Sequence, residues 1–146
     1  MIRKAAAADL DAVENIYDQV HQAEEDGKYT TGWKRGIYPT RATAEDALKR
    51  DDLFVLEENG AVLGAGIINH IQAPEYKAAP WEHKVDPAGV CVLHTLTVSP
   101  RAYGRGLGKQ FVAFYEAYAG ETGCRELRID TNERNRTARS VRKTRL

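Results

Sequence analysis

The sequence predicts a mixed α/β domain whose mostly antiparallel central sheet is flanked by helices. Three observations predict it. Apolar residues recur at helical spacing over 10–20 and again over 107–118, while short β-rich runs stand at 53–56 and 90–98. An Asn59-Gly60 pair sits between two apolar runs, the strongest short hairpin signal. Finally, strand, helix and strand follow one another from 90 to 130, a crossover that makes its two strands parallel.

The elements follow in order. Ile2 to Ala5 reads as a short first strand. Asp9 precedes Leu10, Val13, Ile16, Tyr17 and Val20, a 3.6-residue stripe that Gly27 ends. Residues 28–40, with Trp33, Gly36, Tyr38 and Pro39, read as an ordered loop. Thr43 and Asp46 resemble a capping box opening a second helix to about Arg50. Leu53–Leu56 is a strand, and its return runs from about Val62 to Ile71. Residues 72–88 hold Pro74, Pro80 and Pro87 and read as a long loop carrying Trp81, Glu82 and His83. Val90 to Val98 is nearly continuously apolar, hence a central strand. Strict alternation along it puts Val92, His94, Leu96 and Val98 on one face. A glycine-rich turn then leads to a helix stopped at Gly120 or Gly123, a strand at Leu127–Asp130, and a final helix start at Asn132 or Asn135.

The whole chain, residues 1–146, is expected to form one domain, the size at which a single core is usual. Its 42% hydrophobic and 29% charged residues exclude a disordered chain. Two cysteines cannot supply a disulfide framework or a four-ligand zinc site, so no metal is expected. With no signal-like start and no long apolar run, a cytoplasmic protein without membrane contact is expected. The 21 basic and 21 acidic residues cancel, but unevenly. Residues 1–100 hold 10 basic and 16 acidic side chains, and 101–146 hold 11 and 5. That field draws an anion toward the C-terminal third.

The run from Leu96 to Lys109 carries the chemistry. Gly104, Gly106 and Gly108 alternate between a strand and a helix, so the backbone turns sharply and approaches a ligand closely. The free amides of the first helical turn favour phosphate, and Arg105 and Lys109 add charge. A Walker A loop is excluded by Tyr103 and Gln110, and a dinucleotide fingerprint by Lys109 at its third glycine position. An ordinary glycine-containing strand-to-helix turn is the alternative.

This loop, after a strand ending Leu96-Thr97-Val98-Ser99-Pro100 and with Asn135-Arg136-Thr137-Ala138 downstream, resembles the GCN5-related N-acetyltransferase superfamily. The resemblance spans nearly the whole chain in element order. It implies acetyl-CoA as cosubstrate and an amine acceptor, hence an N-acetyltransferase acting on a small molecule or peptide. It places Leu96, Thr97 and Val98 along the pantetheine arm, with the backbone of Leu96 and Val98 pairing to it. Residues Tyr103, Gly104, Arg105, Gly106, Leu107, Gly108 and Lys109 fall at the pyrophosphate, and Asn135 near the pantetheine. Tyr103 stands where the family places Arg or Gln, which removes a charge but keeps a hydrogen-bonding group.

His94 interrupts the central strand, and His-Thr-Leu-Thr-Val resembles the matching strand in the serotonin N-acetyltransferase branch of that superfamily. There a histidine removes a proton, and imidazole suits the deprotonation of an amine near neutrality. A hydrogen-bonded core histidine is the other reading. His21 and His70 are expected at structural or surface positions. The resemblance puts the acceptor near Tyr29, Trp33, Tyr38 and Trp81.

The C-terminus departs from the family. Arg142 stands where the family has a general-acid Tyr, six of thirteen residues from Arg134 are basic, and the closing strands are missing. Two other readings follow, a weakly catalytic CoA-binding relative and a polyanion-binding module. Nucleic acid is disfavoured because the basic run lacks interleaved aromatics. The edge left uncovered along Leu127–Thr131 predicts a homodimer.

Overall fold

The computed structural model describes residues 1–29, 31–70, 90–124, 126–129 and 144–145. Its elements are β1 (Ile2–Lys4), α1 (Leu10–Glu25), α2 (Arg41–Lys49), β2 (Leu53–Glu58), β3 (Ala61–Asn69), β4 (Val90–Val98), α3 (Leu107–Glu121), β5 (Glu126–Ile129) and β6 (Thr144–Arg145). The six strands lie in sequence order in one sheet, with β4 and β5 parallel and every other pair antiparallel. This is the expected mixed class.

Alternation along the strands splits the core into two layers. Leu53, Val55, Ala65 and Ile67 pack under Leu10, Val13 and Tyr17 of α1 and Ala44 and Ala47 of α2. Phe54, Leu56, Ile68, Leu93, Leu127 and Ile129 face Leu107, Phe111, Tyr115 and Ala119 of α3. Gly66 sets the α3 distance, since a Cβ there would lie 2.7 Å from the Phe111 ring. The β2–β3 turn has φ +53° at Asn59 and +80° at Gly60, as a type I′ hairpin requires.

Three expectations change. The second helix starts at Arg41, not after Thr43; the Thr43 hydroxyl accepts the Thr40 amide at 3.0 Å, so Thr40 is the cap. The third helix keeps to its expectation: of the two glycines expected to stop it, it runs through Gly120 and ends before Gly123, whose φ is +82°. The two cysteines are joined, Cys91 to Cys124, tying β4 to the turn before β5. The chain's own residues Thr144 and Arg145 pair antiparallel with Leu127 and Glu126, so the β5 edge is covered there. Of the edge expected to be open along Leu127–Thr131, Leu127 is thus paired within the chain. Trp81, the 72–88 loop, Asn135 and Arg142 lie outside the described residues. No helix among the described residues is long and apolar enough to cross a membrane.

Candidate active site

The site forms where β4 outruns β5. Among the described residues the two strands pair from Val90–Glu126 to Leu93–Ile129, while β4 continues to Val98 beside β3. Within the paired stretch, Tyr115 Oη lies 2.7 Å from the carbonyls of Cys91 and Arg128 and accepts the Arg128 amide at 3.0 Å. One α3 side chain thereby joins both strands just below the opening.

Strict alternation fails inside β4. Thr95 has φ +52°, and the β3–β4 register shifts between Ala65 and Ile67. The extra residue is a β-bulge. Beyond it Leu96 and Val98 pack against the α3 layer, as Cys91 and Leu93 do before it. His94 instead borders a cavity of about 350 Å³ with Tyr38, Thr43, Asp46, Arg50, Ile67 and Asn69. The single face expected for His94, Leu96 and Val98 is therefore divided, with the bulge as its cause. Tyr38 reaches the bulge directly, hydrogen bonding its hydroxyl to that of Thr95.

His94 Nε2 lies 2.8 Å from Asn69 Oδ1, and Asn69 Nδ2 donates to Asp52 Oδ2 at 3.0 Å. Arg50 Nε donates to the same oxygen at 2.9 Å. This chain of bonds was not anticipated; Asp52 and Asn69 carry no sequence motif. His21 is buried with Nε2 donating to the Pro39 carbonyl at 2.8 Å, and His70 Nδ1 donates to the Val90 carbonyl at 2.7 Å. Both are structural, as expected.

A second cavity of about 190 Å³ lies against Leu96, Thr97 and Val98, walled by Val20, Tyr29, Thr31, Trp33 and Tyr103. Thr97 is buried and its hydroxyl donates to the Ala65 carbonyl at 3.3 Å, so its side chain serves the sheet. Burial, with a smaller push from Tyr103, raises the Tyr29 phenol above its usual value. Trp33 and Tyr38 meet edge to face at 6.0 Å between ring centres and so separate the two cavities. Trp33 and Tyr38, read from sequence as one acceptor wall, border different spaces.

The glycine loop enters α3 as expected. Gly104 and Gly106 take φ +87° and +74°, and Gly106 caps the helix without a side-chain bond. The first helical amides, at Leu107, Gly108 and Lys109, have no intrahelical acceptor. A Cβ at 104, 106 or 108 would meet nothing within 4 Å, so the loop is uncrowded at these three positions. Leu107 is buried and anchors the turn, while Tyr103, Arg105 and Lys109 are exposed. Arg105 forms an ion pair with Glu58, so its charge is shared with the β2–β3 hairpin. Backbone amides and Lys109 therefore carry most of the loop's attraction for an anion.

The comparisons with known proteins agree with this geometry. The chain is 24% identical over 140 residues to the "Uncharacterized N-acetyltransferase YhfO" of Bacillus subtilis strain 168, covering 96% of this chain and 84% of that one. An acetyltransferase of the GNAT family from Listeria monocytogenes 4b F2365 superposes with a TM-score of 0.72 at 24% identity, covering 94% of this chain and 79% of that one. Rv2747 of Mycobacterium tuberculosis, solved in complex with CoA and NLQ, superposes with a TM-score of 0.62 at 19% identity, covering 96% and 69%. The family model "Acetyltransferase (GNAT) family" matches residues 12–143, which hold β2 to β5, α2, α3 and most of α1, and the chain belongs to that family.

Proposed function

We propose that the protein transfers an acetyl group from acetyl-CoA to a primary amine of a small molecule or peptide, with His94 as general base. The observation that carries this reading is the position of His94. It borders a cavity on the α2 side, one residue past the Leu93–Ile129 pair, on the same strand that feeds the glycine loop.

Acetyl-CoA supplies an activated thioester. In this chain the amides of Leu107 to Lys109, with the turns at Gly104 and Gly106, fit its pyrophosphate. The open backbone of Leu96 and Val98 fits the amide-bearing pantetheine arm. By the family resemblance Asn135 adds a contact there. The acceptor amine occupies the His94 cavity beside Tyr38. His94 takes one proton from the ammonium, the freed lone pair forms the C–N bond as the C–S bond breaks, and the nitrogen then gives up its second proton to become the neutral amide. The electron pair leaves on sulfur, and the second nitrogen proton, carried by water, can convert the thiolate to the thiol; a thiol pKa of about 8.5 makes the thiolate a tolerable leaving group.

Release of free thiol from acetyl-CoA, followed over a panel of primary amines, tests the proposal. Turnover with at least one amine that vanishes without acetyl-CoA is expected. A folded protein that neither releases thiol nor shows a thermal shift with millimolar acetyl-CoA would overturn it.

A further inference from the structure

Three metal-ligating side chains from separate parts of the chain meet beside the β4–β5 pair. Cys91 lies in β4, Cys124 in the turn between α3 and β5, and His70 directly after β3. A ring nitrogen of His70 and the two Sγ atoms all lie within 4.8 Å of one another. Each residue is held by hydrogen bonds that do not depend on the disulfide. Cys91 pairs with Leu127 in the parallel ladder, and the Cys124 amide donates to the Ala119 carbonyl at 2.9 Å. His70 Nδ1 donates to the Val90 carbonyl at 2.7 Å, which seats the ring at the start of β4. Metal-ligating imidazoles commonly make such a bond to a backbone carbonyl with one ring nitrogen.

We propose that Cys91 and Cys124, once reduced, form with His70 a site for Zn²⁺, with water as the fourth ligand. A phosphine reductant with water opens the disulfide to two thiols and leaves as the phosphine oxide. The two sulfurs are then buried, in residues only 2% and 4% exposed, where thiolates are costly without a cation beside them. Zinc supplies that cation and displaces the two thiol protons, while His70 binds as the neutral ring. Zinc bonds sulfur at about 2.3 Å and nitrogen at about 2.0–2.1 Å, so tetrahedral ligand atoms stand roughly 3.6–3.8 Å apart. Atoms already within 4.8 Å, on cysteines with Cα atoms 6.0 Å apart, reach that spacing by side-chain rotation. Two cysteines alone fall short of a zinc site, and the pairing of β3 with β4 brings the third ligand. His70 is exposed and opens the site to solvent. Metal and disulfide are alternatives at one place, and either ties β4 to the end of α3 across the glycine loop. Among the described residues, none of the three ligands borders the His94 cavity.

Cobalt(II) is the probe, because tetrahedral thiolate ligation gives it visible d–d bands and a sulfur-to-metal transition in the near ultraviolet. The full chain, reduced with a phosphine and kept from air, should take up one equivalent of Co²⁺ with both signals. Zinc should displace the cobalt and erase them, with about two protons released per zinc bound to the metal-free reduced chain. The oxidised chain should give neither signal. His70→Ala should weaken zinc at least about tenfold, the loss expected even for an outer partner of a ligand, and should alter the d–d bands. Cys91→Ser and Cys124→Ser should each abolish zinc-competitive uptake; if they fail to fold, wild type and His70→Ala decide. A reduced, folded wild type without the sulfur-to-cobalt transition overturns the site. A His70→Ala protein with unchanged zinc affinity overturns it as well. No acetyl-CoA enters these measurements, so their result is independent of acetyl transfer.

Discussion

Replacing Gly106 with valine should abolish acetyl-CoA binding while costing the fold little more than a matched change elsewhere. Gly106 has φ +74° and a Cβ there would touch nothing, so the cost is torsional and not a clash. A left-handed L-residue costs roughly 1–2 kcal/mol, and a β-branched one is a true outlier there. The chain relieves that cost by rotating the peptides on either side, which carries the amides entering α3 out of line. Gly27 is the control, with φ +77° and equally open space at the end of α1, far in the chain from the loop. Differential scanning fluorimetry with and without acetyl-CoA reads the difference. At a ligand concentration of ~100 times Kd, wild type gains about 2.7 kcal/mol. For a domain near 150 residues, at about 2–4 °C per kcal/mol, the gain is roughly 5–10 °C. Gly27→Val should start lower but keep that shift, and Gly106→Val should lose it. A full ligand shift in Gly106→Val would refute the amide cradle.

Three further outcomes are expected. His94→Ala should lower kcat by roughly 10²–10⁴-fold at neutral pH with little change in acetyl-CoA affinity, and by less at high pH, where more amine is already neutral; stopped assays across pH check it. The Cys91–Cys124 bridge spans 33 residues, so its loss in a Cys91→Ser, Cys124→Ser double variant should cost about 3–4 kcal/mol by loop entropy, read from denaturant midpoints. Hydrogen bonds from Arg3 hold the Asp9 carboxyl below its usual range. Its contribution is then complete above about pH 4 and is lost as pH falls through the lowered folded value. Asp9→Asn should be less stable than wild type at pH 7, with a gap that closes in acid; equal stability at pH 7 counts against it.

Most elements were legible because each has a local signature. The Asn59-Gly60 turn, the α1 and α3 stripes and the glycine loop are written in residues adjacent in sequence. The start of α2 was not, since Arg41 and Ala42 add nothing to an apolar stripe and the cap depends on how Thr40 meets Thr43 in space. The bulge was hidden because threonine suits a strand, and nothing in its identity signals φ +52°. His94 was legible as an odd residue in an apolar strand. Its partners were not, because they meet it only through the pairing of β3 with β4 and the approach of the α2–β2 turn. A count of two cysteines likewise says nothing about whether a crossover brings them together.

The Cys91–Cys124 bridge closes a covalent ring around most of β4, the glycine loop and all of α3. Every backbone group assigned here to phosphate and pantetheine, apart from Asn135, belongs to this macrocycle. A protease nick anywhere between residues 92 and 123 therefore opens the ring without releasing a fragment. The two pieces stay linked through sulfur and can remain seated on the sheet. A nicked chain would run as one species without reductant and as two with it, and cleavage of the exposed glycine loop need not disperse the parts that flank the ligand.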